Sequence, residues 1–259
     1  MFTTQSQRRF QCYCIGTGKT GTHSVAGIFA RKYRAAHEPD TELLISTVLE
    51  SAAGRKPESD VRSLLKHRDE VRLLELEADG TLYCFLDILL EEFPEALFLL
   101  TIRDCYTWLN SVFNHNITRR PSGFWRQFDD FTFAPWGFRH VEEEQVLADH
   151  GLRTLRHYLS HWAAHNQNVI ARTPKNWLLV LRTDRIGDSA KDIAAFLRIP
   201  AHTLDLTKSH LFKNTESFDF LSKIDRTFLE ENVRRYCGPL MQEYFPEIDN
   251  YHSRGLRGV

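Results

Sequence analysis

The sequence predicts an α/β protein, a three-layer α/β/α sandwich around a central parallel sheet, and three observations carry that prediction. Short apolar runs alternate along the chain with segments whose apolar residues recur at helical spacing. The run Ala96–Ile102 (ALFLLTI) is almost continuously apolar, as a strand covered on both faces must be. A glycine-rich turn, Gly16 to Ser24, joins the first apolar run directly to a helical segment. The chain has 259 residues, long enough to bury a sizeable core, and reads as a single domain spanning 1–259 without repeats or low-complexity tracts.

Phe10–Ile15 reads as a buried strand, His23–Lys32 as a helix and Tyr33–His37 as a short second strand, which is a βαβ opening. Ser51–Asp60, with Gly54 and Pro57 inside it, is the one obvious polar break, and Asp60 is placed to cap a helix running into the late 60s. Leu82–Phe93 reads as a helix stopped by Pro94, followed by the Ala96–Ile102 strand. Tyr106, Leu109, Asn110 and Phe113 then fall at helical spacing, and one long helix is expected over Glu142–Ala171. Trp177–Leu181 is a last buried strand, leading through Asp184 to a helix at Asp188–Leu197. Ligands of such folds bind beyond the carboxyl ends of the strands, so function is sought there.

Composition removes several function classes. With 33 Lys plus Arg against 34 Asp plus Glu, the formal charge of -1 creates no whole-molecule field to gather nucleic acid or anionic lipid, so any anion site must be local. No apolar run approaches the ~18 residues of a membrane span and no signal-peptide core follows the polar start, so a cytosolic location is expected. Five cysteines are sparse and odd in number; Cys12 and Cys14, two apart on a strand, share its core face, and neither disulfides nor zinc is expected.

The first strand ends in Gly16-Thr17-Gly18-Lys19-Thr20-Gly21-Thr22-His23-Ser24. Glycines there let backbone N–H groups converge on an oxyanion, the following helix start adds partial positive charge, and Lys19 adds a full one. It is not the Walker pattern: the glycine required five positions before Gly18 is replaced by Tyr13, still inside the strand. A second anion-binding pair follows the Ala96–Ile102 strand. Arg103 and Ser111 are eight residues apart, ~12 Å along a helix, a spacing at which a folded guanidinium and a hydroxyl can grip one dianion.

These features together resemble the sulfotransferases that use 3′-phosphoadenosine 5′-phosphosulfate. Gly16–Ser24 is similar to their PKSGTT-like 5′-phosphosulfate loop, and the Arg103 to Ser111 spacing is similar to their 3′-phosphate site. Phe93-Pro94-Glu95 through Arg103-Asp104 resembles their FPxAKFILxxRDP run, departing at Cys105 where proline is usual. Ala194 to Pro200 resembles their FLGIP helix end, with Arg198 where glycine is usual. The resemblance spans about residues 10 to 115 through motifs and the later half only through general pattern.

The resemblance implies a P-loop nucleoside triphosphate hydrolase-like sulfotransferase fold and the adenosine phosphosulfate as cofactor. It implies Gly18, Lys19, Thr20, Gly21, Thr22, His23 and Ser24 around the 5′-phosphate, and Arg103 with Ser111 on the 3′-phosphate. Lys19 would compensate charge on the leaving oxygen, and no metal is called for. Glu38, in Ala36-His37-Glu38-Pro39, stands where the family often places a catalytic glutamate, with His37 and His115 as rival bases because one branch uses histidine. The acceptor is expected to be a small hydroxylated or amine compound. The aromatic stretch Phe124, Trp125, Phe128, Phe131, Phe133, Trp136 and Phe138 either walls an apolar part of its pocket or packs a core.

Three further features are assigned no chemistry. His157, His161 and His165 read as a polar helix stripe rather than metal ligands, and Glu142 to Glu144 as acidic residues at a helix start. Lys208, Lys213 and Asn214 lie in a polar segment that can return to the cofactor. The alternatives are an ATP- and magnesium-dependent small-molecule or nucleoside kinase, and a nucleotide-binding regulator without turnover; a kinase needs a loop hydroxyl and a strand-end acid for its metal ion.

Overall fold

The structure is a computed structural model that describes residues 8–120, 123–209 and 218–252. Two compact units divide the chain, Met1–Ile102 with Val169–Phe212 and Arg103–Asn168 with Lys213–Val259.

The first unit holds the whole sheet. Its elements are β1 (Cys12–Cys14), α1 (Thr22–Phe29), β2 (Ala35–His37), α2 (Thr41–Ala52), α3 (Glu58–Arg72), β3 (Leu76–Ala78), a 3-10 turn at Gly80–Phe85, and α4 (Leu86–Glu92). β4 (Leu97–Ile102) follows, and later in the chain β5 (Leu178–Arg182) and an α-helix at Ala190–Leu197. The five strands are parallel in the order β2-β3-β1-β4-β5, with α-helices on both faces. This is the α/β sandwich the sequence predicts.

On one face, Cys12 and Cys14 of β1, Leu76 and Ala78 of β3, Leu99 of β4 and Leu181 of β5 form one buried cluster. Val25, Ile28 and Phe29 of α1 and Ile193, Ala194 and Leu197 of the Ala190–Leu197 helix complete it. On the other face, Tyr13 lies 6.0 Å from Phe93 and 5.8 Å from Phe98, ring centre to ring centre. There the guanidinium of Arg68 on α3 grips Glu77 of β3 and donates from Nε to Asp40 at 2.8 Å. Removing one member of such a buried ion pair costs about 3–5 kcal/mol, because the other is left uncompensated.

The register sets the geometry of the rim. His37, Ala78, Cys14 and Leu99 stand in one row across β2, β3, β1 and β4. The residues after β2, β3 and β1 therefore leave the sheet side by side, while β4 continues to Ile102 and supports them from the flank.

The second unit contains α5 (Cys105–Thr118), α6 (Gly123–Phe133), α7 (Gln145–Asp149) and α8 (Leu155–Arg172, through residue 168). The Ala190–Leu197 helix of the first unit is α9, and α10 (Arg226–Tyr244) closes the second. Trp108, Leu109 and Phe113 of α5 are buried with Tyr158 and Trp162 of α8, the Phe113 and Tyr158 rings 5.1 Å apart. Cys237 and Met241 of α10 are also buried here, Met241 Sδ accepting from Cys105 N–H.

Several expected boundaries move for identifiable reasons. The long helix expected over Glu142–Ala171 is interrupted: Gly151 adopts φ +69, and Leu152 N–H returns to Leu147 C=O at 2.9 Å, ending α7 with a glycine closure before α8 begins. Glu144 does not open a continuous helix. Its fully buried Oε2 accepts the N–H of Leu155 at 2.6 Å and so serves the start of α8. Asp60 is not a cap either, since α3 starts at Glu58 after Pro57 and Asp60 sits inside its first turn. The Leu82–Phe93 helix begins as a 3-10 turn because Asp79 caps Thr81 N–H, and it becomes α4 only at Leu86. Among the described residues no helix is long and apolar enough to cross a membrane.

Candidate active site at the phosphate loop

Beyond β1 the chain makes a β-turn at 17–20, closed by Thr20 N–H to Thr17 C=O at 3.3 Å. Lys19 occupies the third position of that turn with φ +71, where glycine or asparagine is the unstrained choice. Thr20 closes the loop from beneath. It is fully buried, its Oγ1 donating to Thr17 C=O at 2.6 Å and meeting Thr101 Oγ1 of β4 at 2.8 Å. Thr183 adds a second brace, donating to Thr20 C=O at 2.5 Å. The Thr20 hydroxyl thus shapes the floor rather than facing outward, and the loop hydroxyl a kinase would turn to its metal ion is committed to packing here.

The inner side of the loop is tight and the outer side open. A Cβ on Gly16 would overlap Thr101 Oγ1 and come 2.7 Å from Thr101 C=O, whereas one on the exposed Gly18 would meet nothing within 4 Å. Gly21, at φ +94, turns the chain into α1, whose first helical bond runs from Val25 N–H to Gly21 C=O at 3.0 Å. The positive end of the helix dipole therefore meets the loop. A phosphate fits this cradle: glycine backbone on the open side, a helix start behind, and the Lys19 ammonium on the turn. Thr22 and Ser24 are buried in the first turn of α1, and His23 is half-buried.

β2 delivers the next group. His37 Nε2 is 3.1 Å from Thr22 Oγ1, and its ring centre lies 4.9 Å from that of His23. Burial, with His23 alongside, pushes the His37 imidazole down to about 4, so it is neutral near pH 7. Glu38 follows, its Oε1 3.7 Å from His37 Nε2. Partial burial and the nearby Asp79 lift the Glu38 carboxyl to about 6, against the opposing pull of Lys19. Glu38 also has a left-handed backbone, φ +49, while its N–H extends the sheet ladder to Ala78 C=O at 3.0 Å.

Four described non-glycine residues have positive φ: Lys19, Glu38, Leu73 and Arg198. Leu73 and Arg198 close α3 and α9, where a left-handed residue is a normal helix ending. Lys19 and Glu38 end no helix. Each such conformation costs about 1–3 kcal/mol, and strain of this kind gathers at functional sites.

Arg103 and Ser111 belong to the second unit, on and just before α5. Asp104 caps that helix by accepting Thr107 N–H at 3.0 Å, and Trp162 Nε1 holds the Arg103 carbonyl at 3.0 Å. Arg103 Nε donates to Thr107 Oγ1 at 3.0 Å, which lays the guanidinium along the first turn, on the stripe Arg103, Thr107, Ser111. Ser111 is half-buried two turns on, and His115 lies one turn further along α5.

The aromatic stretch divides. Phe133 is buried, packing on Tyr158 and on the neighbouring His157 and His161, while Trp125 and Phe131 on α6 are exposed. His157 bonds the carbonyl of Trp136 at 2.8 Å and the hydroxyl of Thr154 at 2.8 Å, and burial with His165 pushes His161 down to about 3, so these histidines serve packing. Lys208 ends an exposed 3-10 turn in the first unit, and Lys213 and Asn214 lie outside the described residues.

A family model for the sulfotransferase domain matches residues 11–202, from the start of β1 through both candidate anion-binding segments. The chain belongs to the sulfotransferase family. Sulfuryl transfer is thus its general reaction. Among solved structures it is similar to a sulfotransferase from Alicyclobacillus acidocaldarius, at 16% identity and a TM-score of 0.50, over 90% of this chain and 96% of that one. That likeness bears on the fold. A comparison with curated proteins finds no match.

Sequence reasoning about this sulfotransferase missed Asp79, Thr101, Thr183 and Gly80. Gly80 packs under the loop, a Cβ there reaching 3.0 Å from Gly16 C=O. The available signal was Asp79-Gly80-Thr81, a turn triplet directly after a short run, but Glu75 and Glu77 broke the apolar pattern that marks a strand.

Proposed function

We propose that this sulfotransferase moves the sulfuryl group of 3′-phosphoadenosine 5′-phosphosulfate to a hydroxyl or amine of a small acceptor, with Glu38 as general base. The observation that carries the reading is the pair Lys19 and Glu38. They are the described non-glycine residues held in left-handed backbone away from helix ends, and they are the cation and the carboxylate that the reaction needs.

The cofactor, when bound, supplies an activated sulfuryl group and a phosphate as leaving group. The loop backbone from Gly18 to Gly21 and the start of α1 hold the 5′-phosphate, and the Lys19 ammonium offsets negative charge on the departing oxygen. Arg103, folded along α5, and Ser111 hold the 3′-phosphate that separates this cofactor from ATP. Glu38 takes the acceptor proton onto its carboxylate, and a carboxyl near pH 6 is matched to work near neutrality. His37, neutral and weakly basic, orients the rim through Thr22 rather than accepting the proton. The protein then acts as one domain without metal, in the cytosol, on an acceptor with an apolar portion.

Calorimetry with adenosine 3′,5′-bisphosphate, ADP and AMP, with and without magnesium, tests this. The bisphosphate should bind preferentially and independently of magnesium, with binding lost in Arg103→Ala and weakened in Ser111→Ala. Equal affinity for AMP overturns the reading. In an acceptor screen with the phosphosulfate, Glu38→Gln should abolish transfer while cofactor affinity is kept, and retained turnover moves the base to His37 or His115.

A further inference from the structure

We propose that Asp79 is a positioning residue for the reaction: buried at the end of β3 next to the strand end that Glu38 leaves, it ties together the segments that carry the base and the phosphate loop, and presents a fixed negative charge to the base. The inference rests on Glu38 acting as the base.

Asp79 follows β3 and is 1% exposed. Its N–H donates to Cys14 C=O at 3.1 Å, joining it to the end of β1 just before the loop. Its Oδ1 accepts Thr81 N–H at 2.7 Å, and its Oδ2 accepts the Thr41 hydroxyl at 2.8 Å. A residue that only capped the 3-10 turn would need the first oxygen alone. The second reaches α2, whose first residue, Thr41, stands three residues after Glu38. Glu38 N–H is itself bonded to the carbonyl of Ala78, the residue before Asp79. Asp79 therefore fixes the segment just after Glu38 and the exit of β1 at once, while the preceding residue, Ala78, holds Glu38 itself.

The charge argument follows from the same contacts. With both oxygens accepting, Asp79 has the bonding pattern of an ionised carboxylate. Its side-chain donors are a neutral amide and a neutral hydroxyl, and the nearby cation Arg68 is spent on Glu77 and Asp40. The other groups around Glu38 are His37 on β2, with His23 of α1 against it, and Lys19 on the loop, while Asp40 is held by Arg68 and Arg72. Burial and the like charge of Asp79 make Glu38 hold its proton more tightly, the Lys19 cation opposes them, and the first two outweigh it, lifting the carboxyl to about 6.

The test is carboxyl 13C NMR titration of Glu38 in the free, full-length protein, which needs neither cofactor nor acceptor. Wild-type Glu38 should titrate at about 6, and Asp79→Asn, which keeps the shape and removes the charge, should lower that midpoint by about one pH unit toward the ordinary 4.5. An unmoved midpoint in folded Asp79→Asn overturns the proposal. Should that variant not fold, Thr41→Val keeps the charge and removes one donor, so the midpoint should stay near 6 or rise. A fall in Thr41→Val overturns the proposal as well. If the Asp79→Asn midpoint falls as expected and Glu38→Gln still turns over, the coupling of Asp79 to Glu38 stands while the assignment of Glu38 as base fails.

Discussion

Gly16→Ala is the sharpest single perturbation of this site, because its cost can be worked from contacts at one atom. A Cβ at residue 16 would overlap Thr101 Oγ1 and lie 2.7 Å from both Thr101 C=O and Thr20 Oγ1. A side-chain oxygen can rotate away, but the Thr101 carbonyl is part of β4 and cannot. Overpacking of this kind costs about 1–3 kcal/mol. Displacing Thr101 Oγ1 also breaks its bond to Thr20, about 0.5–1.5 kcal/mol more. The sum, about 1.5–4.5 kcal/mol, is a large part of the stability of an ordinary domain. Urea unfolding followed by far-ultraviolet circular dichroism measures it. Gly18→Ala is the internal control, expected within about 0.5 kcal/mol of wild type since its Cβ would meet nothing within 4 Å. Thr101→Ala in the Gly16→Ala background should recover part of the loss, because the hydroxyl clash disappears and the carbonyl clash remains. If Gly16→Ala unfolds within about 0.5 kcal/mol of wild type, or the double variant is simply additive, the packed-floor account of the loop is wrong.

Two further outcomes concern the scaffold. Arg198 is exposed at φ +55 where it closes α9, so Arg198→Gly relieves about 1–2 kcal/mol of left-handed strain against about 0.5–1 kcal/mol of added chain entropy. A rise in thermal midpoint of a few degrees should follow, and a fall would show the Arg198 side chain to be worth more than the strain. Burial alone would raise the Glu75 carboxyl, but bonds from the Arg9 side chain and from the N–H groups of Arg34 and Arg9 outweigh it and hold the group down at about 2. A depressed carboxyl contributes stability that is present above its unfolded value near 4.5 and is lost as pH falls toward about 2. Glu75→Gln should therefore flatten the acid limb of stability in that window, measured as urea midpoint against pH, and an unchanged limb would remove Glu75 as its source.

The alternation of strands and helices, the glycine turn after β1, the stripe of Arg103, Thr107 and Ser111 along α5, and the position of Glu38 directly after β2 were all legible from residue order, because each depends on local spacing. β4 was the easiest element to read since both its faces are apolar. β3 was invisible for the opposite reason: Glu77 is buried and acceptable only because Arg68, nine residues away in sequence, neutralises it across the sheet face. Asp79 was lost with β3. α10 is hard to read because its many polar residues dilute the apolar spacing, and the Glu142–Ala171 segment reads as one helix because its periodicity runs through Gly151, whose left-handed φ breaks it.

By itself the sequence determined which groups stand after the strands: a glycine loop with a lysine, a carboxylate after the second strand, and an arginine with a hydroxyl two turns on. Tertiary structure alone decided how that chemistry is tuned. Parallel register places the ends of β2, β3 and β1 in one row, so that Glu38 leaves the sheet beside Asp79 and the loop. It also turns Thr20 inward onto Thr101. Spacing along a chain sets which groups share an element, but a carboxyl's affinity for its proton depends on burial and on charges brought near from distant positions, and those are fixed only when the strands pair.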